Sequence, residues 1–247
     1  MRSAINFFTL NDMDLEHNPC IIRLFKYFYR IRPLKPKYAT FWPVSKVLDY
    51  LKPLHPPENL SLKDLTLKTL SLIALSTSDR GQTIHLADPN KMVVEEDGSV
   101  NFLIDGRIKT TRRVLKSRFL HCCLCKDDEF NVAKYVLCYI NATNVFRNKF
   151  IEANNGKGSQ LFYSWSTKKP VSRQTLSRWL KEILKKSGIS NFGSHSFRGA
   201  GLSEAYAKGA SIPQIVAQGN WSNVSIFENH YNAPSSESHL GQLILEN

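Results

Sequence analysis

The sequence predicts an α+β chain, mostly helical, with one small antiparallel sheet beside a helical core. Leucines recur at helical intervals from Ser61 to Leu75. Residues 91–121 change to an alternating pattern rich in Val, Ile, Phe and Thr, with turn signals at Asp97-Gly98 and Asp105-Gly106. Ser172 to Gly188 then returns to a helical amphipathic pattern.

In order along the chain, NPCIIRLFKYFYRI, from about Asn18 to Ile31, is an apolar and aromatic run with interspersed Arg and Lys that fits a single helix. RPLKPKYATFWPV carries three prolines and basic residues and reads as an extended linker. VSKVLDYLKPL, Val44 to Leu54, is helical and closed by the breaker PLHPP. Ser61 and Asp64 have capping-box spacing at the head of a long helix that breaks at STSD, just before Arg80. A short helix through RGQTIHLAD is ended by Pro89, and the sheet follows. A further helix is expected over 129–141, then the polar loop NNGKGSQ and the short apolar LFYSW. Ser172 caps SRQTLSRWLKEILKKSG, with Gly188 as its stop and Lys181, Lys185 and Lys186 toward the negative end of the helix dipole. The stretch from Ser194 to Tyr231 starts with another helix and is closed by the breaker NAPSS and a tail ending GQLILEN.

Lys and Arg number 33 against 21 Asp and Glu, a net charge of +12 in 247 residues, which favours polyanionic partners through counterion release. The basic run Arg107, Lys109, Arg112, Arg113, Lys116 and Arg118 holds no acidic residue, although such a run is by itself most simply a solvated face. Five cysteines, an odd number, with no secretory signal argue against a disulfide framework. His121, Cys122 and Cys125 offer one C-x-x-C step where a structural zinc site shows two ligand pairs, so the thiols are read as packed side chains and no metal is expected. No apolar run approaches membrane-spanning length, and an intracellular, soluble chain is expected.

The chemistry-bearing residues gather near the C-terminus. His195 and Arg198 stand three residues apart, on one face of a helix starting near Ser194, with Trp221 and Tyr231 beyond. A proton-transfer group, a cation and a phenol together suit a phosphodiester. Each also has a plainer role: Arg80 as a helix-end cation, Trp221 and Tyr231 as core aromatics, His195 as a satisfied first-turn group. Phe197, Leu202, Ala205 and Tyr206 fall on the core side of that helix.

The set H-x-x-R, then W, then Y, with a lone Arg80 after a long upstream helix, resembles the tyrosine recombinases of the phage-integrase family. WSNVSIFENHY and LSLKDLTLKTLSLIALSTSDRGQTIHL look most like the recombinases of DIRS-type retroelements and Cryptons. The resemblance runs from roughly Lys35 to Tyr231. It implies the tyrosine-recombinase catalytic fold and a mobile-element-derived enzyme that cuts and rejoins DNA through a 3′-phosphotyrosyl intermediate, without cofactor or metal.

In that scheme Tyr231 is the nucleophile, and a free phenol with a pKa of about 10 needs activation at neutral pH. Arg80 and Arg198 grip the non-bridging oxygens, where guanidinium forks match phosphate geometry. His195 donates to a phosphate oxygen or takes the tyrosine proton, and Trp221 supplies an indole N–H and packing. Lys109 protonates the leaving 5′ oxygen, with Arg107 or Lys116 as alternatives for that place. Arg107, Arg112, Arg113, Lys116, Lys181 and Lys185 are the candidate DNA contacts. Double-stranded DNA and further copies of the chain, in a tetrameric synapse, are the implied partners, with a nuclear location for a eukaryotic element. Two rival readings are a domesticated DNA-binding domain that does not cleave and a type IB topoisomerase.

Residues 41–234 are read as the catalytic domain, 1–40 as a truncated remnant of a helical core-binding region and linker, and 235–247 as a tail. The sequence departs from the family pattern at Thr83, where a glutamate usually stands three residues after the first arginine.

Overall fold

The computed structural model describes residues 18–32, 38, 40–106, 118–219, 221, 224 and 227. The chain divides into two units, Met1–Ala39 and Thr40–Asn247. In the first, Pro19–Ile31 forms helix α1. Asn18 caps it, its side-chain oxygen accepting from the amides of Cys20 at 2.9 Å and Ile21 at 3.4 Å, and Pro19 occupies the first turn, where no amide donor is needed.

In the second unit the chain runs through α2 (Val44–Leu51), α3 (Leu62–Thr77) and α4 (Gly81–His85). The strands β1 (Met92–Val94), β2 (Val100–Ile104) and β3 (Arg118–Cys122) come next. Helices α5 (Val132–Ala153), α6 (Arg173–Lys186), α7 (Ser196–Ala207) and α8 (Ile212–Gly219) complete the described elements. This is the mostly helical fold with a small antiparallel sheet that the sequence predicts.

Helix α3 is the axis of the unit, packed against α5, α6, α7 and β3. It is buried almost all round, including polar Thr66, Lys68, Thr69 and Ser71. A helix surrounded on every side must satisfy its polar side chains internally. Thr66, Ser71 and Thr77 do so by donating to the carbonyls four residues back, at 2.6, 2.8 and 2.7 Å. Lys68 donates to the Leu54 carbonyl at 2.7 Å, with its ammonium 4.4 Å from the centre of the Tyr135 ring. Ser61 caps the helix as expected: its hydroxyl accepts from the Asp64 amide at 3.1 Å, while the Asp64 carboxylate reaches back to that hydroxyl at 2.6 Å.

The sheet order is β1-β2-β3, antiparallel throughout. In the β2–β3 register Val100 faces Cys122, Phe102 faces Leu120 and Ile104 faces Arg118. Strand parity therefore puts Arg118 on the same face as buried Leu120 and Cys122, while Phe119 and His121 point outward.

Three readings change. Helix α5 runs on to Ala153, beyond the expected 129–141, because buried Tyr139, Thr143 and Arg147 continue its inner face. Arg147 explains that length: its guanidinium donates to the carbonyls of Gln160 and Leu161 at 2.6 and 2.7 Å, tying the end of the helix to the chain that returns beneath it. The segment read as linker contributes to the core: Trp42 is 5% exposed, donates its indole N–H to Ser196 at 2.7 Å and meets Phe197 edge-on at 5.1 Å. Tyr206, assigned to the core side, is instead more than a third exposed, its ring meeting the edge of Phe227 at 5.4 Å.

The cysteines are free thiols. Burial pushes the Cys122 thiol up to about 12, which leaves it protonated and inert. No helix among the described residues is long and apolar enough to cross a membrane.

Candidate active site: an arginine-lined cavity

The site begins with a turn. Helix α3 ends at Thr77, and Ser78 takes a left-handed conformation (φ 48°) that swings the chain back toward α7. Asp79 and Arg80 follow before α4 starts. Because this turn belongs to neither flanking helix, its placement depends on tethers from elsewhere. The Arg198 guanidinium donates to the Ser78 carbonyl at 3.0 Å and to the Gly219 carbonyl at 2.5 Å. The Gln218 amide donates to the Thr77 carbonyl, and Asp79 is ion-paired to Arg118 of β3. Gly201 lets α7 approach this closely, since a Cβ there would lie 2.4 Å from the Ser78 hydroxyl and 2.9 Å from the Leu75 carbonyl.

Arg198 is 1% exposed, an unusual place for a guanidinium. Its two carbonyl acceptors and the face of Trp221, 4.9 Å from the guanidinium carbon to the ring centroid, make that burial tolerable. Gly219 leaves room for the indole, because a Cβ there would come within 2.5 Å of it. His195 sits outside α7, as its N-cap, and is exposed. The expected helix start near Ser194 therefore moves to Ser196, placing the imidazole at the mouth of the site and Arg198 at its floor.

These groups converge on one cavity of about 530 Å³. Arg80, His195, Arg198 and Trp221 line it, with Asp79 and with Arg173 from the start of α6. Lys109, the alternatives Arg107 and Lys116, the further candidate contacts Arg112 and Arg113, and Tyr231 lie outside the described residues. Lys181 and Lys185 are exposed on α6, the helix whose Arg173 and Ser177 face the cavity. Thr83 is 1% exposed in α4, so the position that departs from the family pattern is a buried neutral side chain.

Sequence reasoning missed Asp79, Arg118 and Arg173. Burial pushes the Asp79 carboxyl up from its ordinary value, opposed by the charges of Arg118, Arg198 and Arg80. Arg118 was detectable from strand parity, as a basic residue in register with Leu120 and Cys122. Arg173 was detectable as the first residue after the Ser172 cap, whose hydroxyl accepts from the Thr175 amide at 3.3 Å. Asp79 carried no pattern of its own.

A model of the phage integrase family matches residues 131–238, which takes in α5 through Trp221 and Tyr231. No curated protein sequence matches the chain. Among solved structures, XerA recombinase is similar with a TM-score of 0.57 and 14% identity, covering 92% of this chain and 73% of XerA. XerH site-specific recombinase bound to palindromic difH substrate in a post-cleavage complex is similar with a TM-score of 0.55 and 15% identity, covering 85% and 54%. A lambda integrase dimer bound to a COC′ core site gives 0.51 and 13%, covering 80% and 49%. At these identities the likeness establishes the tyrosine-recombinase catalytic fold. The chain spans about half the length of the XerH and lambda integrase chains.

Proposed function

We propose that this chain cuts and rejoins DNA as a site-specific tyrosine recombinase of mobile-element origin. The observation that carries the reading is the cavity, where Arg80, His195, Arg198 and Trp221 meet although more than a hundred residues separate the first from the others. Two guanidiniums and an imidazole lining one cavity match a phosphodiester entering its transition state, when charge builds on the non-bridging oxygens. Arg198 is the pre-organised member, fixed by carbonyls on one side and an indole on the other. Arg80 extends from the tethered turn, and His195 is placed at the entrance for proton transfer.

Tyr231 attacks phosphorus through its phenolic oxygen, and its proton passes to His195. The P–O5′ bond breaks, Lys109 gives its proton to the leaving 5′ oxygen, and a 3′-phosphotyrosyl bond forms. Attack by a 5′ hydroxyl reverses these changes and regenerates the tyrosine, so the energy of the original bond is conserved. The partners in this reading are double-stranded DNA, gripped partly by the exposed lysines of α6, and further copies of the chain assembled on it. Residues 41–234 form the catalytic part, and a eukaryotic host element places it in the nucleus.

The test is incubation of the chain with a pool of nicked, random-sequence duplexes, followed by recovery of DNA that stays attached through denaturation. Attached DNA with wild type and none with Tyr231→Phe is the expected result. Equal recovery with both proteins overturns the cleavage reading, and DNA retention that survives Tyr231→Phe but never becomes covalent favours binding alone. Relaxation of supercoiled plasmid without site preference would favour the topoisomerase reading.

A further inference from the structure

We propose that Asp79 is the positioning carboxylate of the cavity: paired with Arg118 at the root of β3, it fixes Arg80 and Arg198 relative to each other for gripping a phosphate. The inference rests on reading the cavity as a phosphodiester site.

The Asp79 side chain is 3% exposed, is ion-paired to Arg118 and lines the same cavity as Arg80 and Arg198, whose positive charges act on it. For an anion site this is a paradox. A carboxylate among the ligand-binding cations repels the incoming phosphate and offsets part of their charge, and a buried carboxylate is costly unless strongly paired. Its presence makes sense if geometry gains more than electrostatics loses. The turn from Thr77 to Arg80 is tied to α7 by Arg198 and to α8 by Gln218, but both ties end on backbone carbonyls before residue 79. Asp79 supplies the tie to the sheet, and it immediately precedes Arg80.

Arg118 is suited to that tie. Its parity turns it toward the core, the register with Ile104 anchors it, and its side chain is 17% exposed. The pair thus joins the first residue of β3 to the cavity. Thr83, buried and neutral, has no charge with which to do this.

The experiment titrates inorganic phosphate into the full chain and follows the part of the tryptophan fluorescence that Trp221→Phe removes, since Trp221 faces the Arg198 guanidinium. Asp79→Asn is expected to weaken phosphate binding by about fivefold or more. Arg118→Gln weakens it similarly, the double variant is no worse than the weaker single one, and Arg118→Lys stays within about threefold of wild type. If the carboxylate only balanced charge, Asp79→Asn would bind phosphate more tightly; equal or tighter binding at an unchanged melting temperature overturns the proposal. Should Asp79→Asn melt too low to titrate, Asp79→Glu carries the test: its charge is intact and its reach one methylene longer, so weakened binding supports positioning and unchanged binding overturns it. Saturable binding that Asp79→Asn weakens supports the proposal even where Tyr231 forms no adduct with DNA. A wild type with no saturable response overturns the phosphate-site reading and this inference together.

Discussion

The Arg198 guanidinium donates to the Ser78 carbonyl at 3.0 Å across 120 positions of sequence. A buried cation thereby joins the end of the central helix to the H-x-x-R helix, so the arginine proposed to grip the phosphate is also a clasp between two elements. Arg198→Met keeps most of the side-chain volume but strands two carbonyls. The expected loss is about 2–4 kcal/mol of stability by urea unfolding, together with all covalent capture of DNA. Unchanged stability would show that the clasp carries no structural weight.

Gly201 tests the same contact from the other side. In Gly201→Ala the new methyl group meets the Ser78 hydroxyl and the Leu75 carbonyl, and a carbonyl on a buried helix end cannot retreat far. A cost of about 1–3 kcal/mol is expected, measured as a fall in melting temperature. Gly199→Ala is a companion, since its Cβ would come within 2.1 Å of the Phe41 ring.

Lys68 gives the chain a stability signature at alkaline pH. Burial lowers its pKa from 10.5 to about 8. Between those values the unfolded chain holds the extra proton, so stability rises with pH across that window. Cys122 acts oppositely from pH 9 upward, because burial keeps its thiol protonated to about 12 in the folded chain while it ionises in the unfolded one. Comparing wild type with Lys68→Met cancels the cysteine. The stability difference should drift in favour of wild type between pH 8 and 10 by up to about 1.4 kcal/mol per pH unit. A flat difference would mean that Lys68 keeps its ordinary proton affinity.

If the exposed face of α6 lies along a DNA backbone, Lys181→Gln and Lys185→Gln should each reduce the magnitude of the slope of log affinity against log salt by about 0.9. Lys186 is a matched control, because it is already 3.2 Å from Glu182. Identical slopes for all three variants would move the DNA off this face.

The regular elements were legible because their signals are local. The Ser61–Asp64 box, the Gly188 stop and the Asp97-Gly98 turn each lie within a few residues of what they govern. The aromatic pair Phe41-Trp42 was misread since prolines on both sides look like a linker, and only the arrival of α7 gives Trp42 its Ser196 acceptor. In the site, Arg80, His195, Arg198 and Trp221 were legible through their residue types and order. Asp79 was not, because a carboxylate becomes informative only when distant Arg118 pairs with it and distant Arg198 is brought to the same cavity. His195 was placed inside its helix because three-residue spacing does not distinguish a cap from a first turn.

The turn between α3 and α4 is held by donors that reach main-chain oxygen: Arg198 to Ser78 and Gly219, Gln218 to Thr77. A carbonyl is the same whatever side chain it carries. Residues 77 and 78 are therefore recognised by their place along the chain rather than by their identity, whereas Gly219 is held to glycine by the indole and the donors at 198 and 218 have few substitutes. Under mutation the acceptor side can drift freely within steric limits while the donor side cannot. An architecture fastened in this way keeps its shape as its text is rewritten.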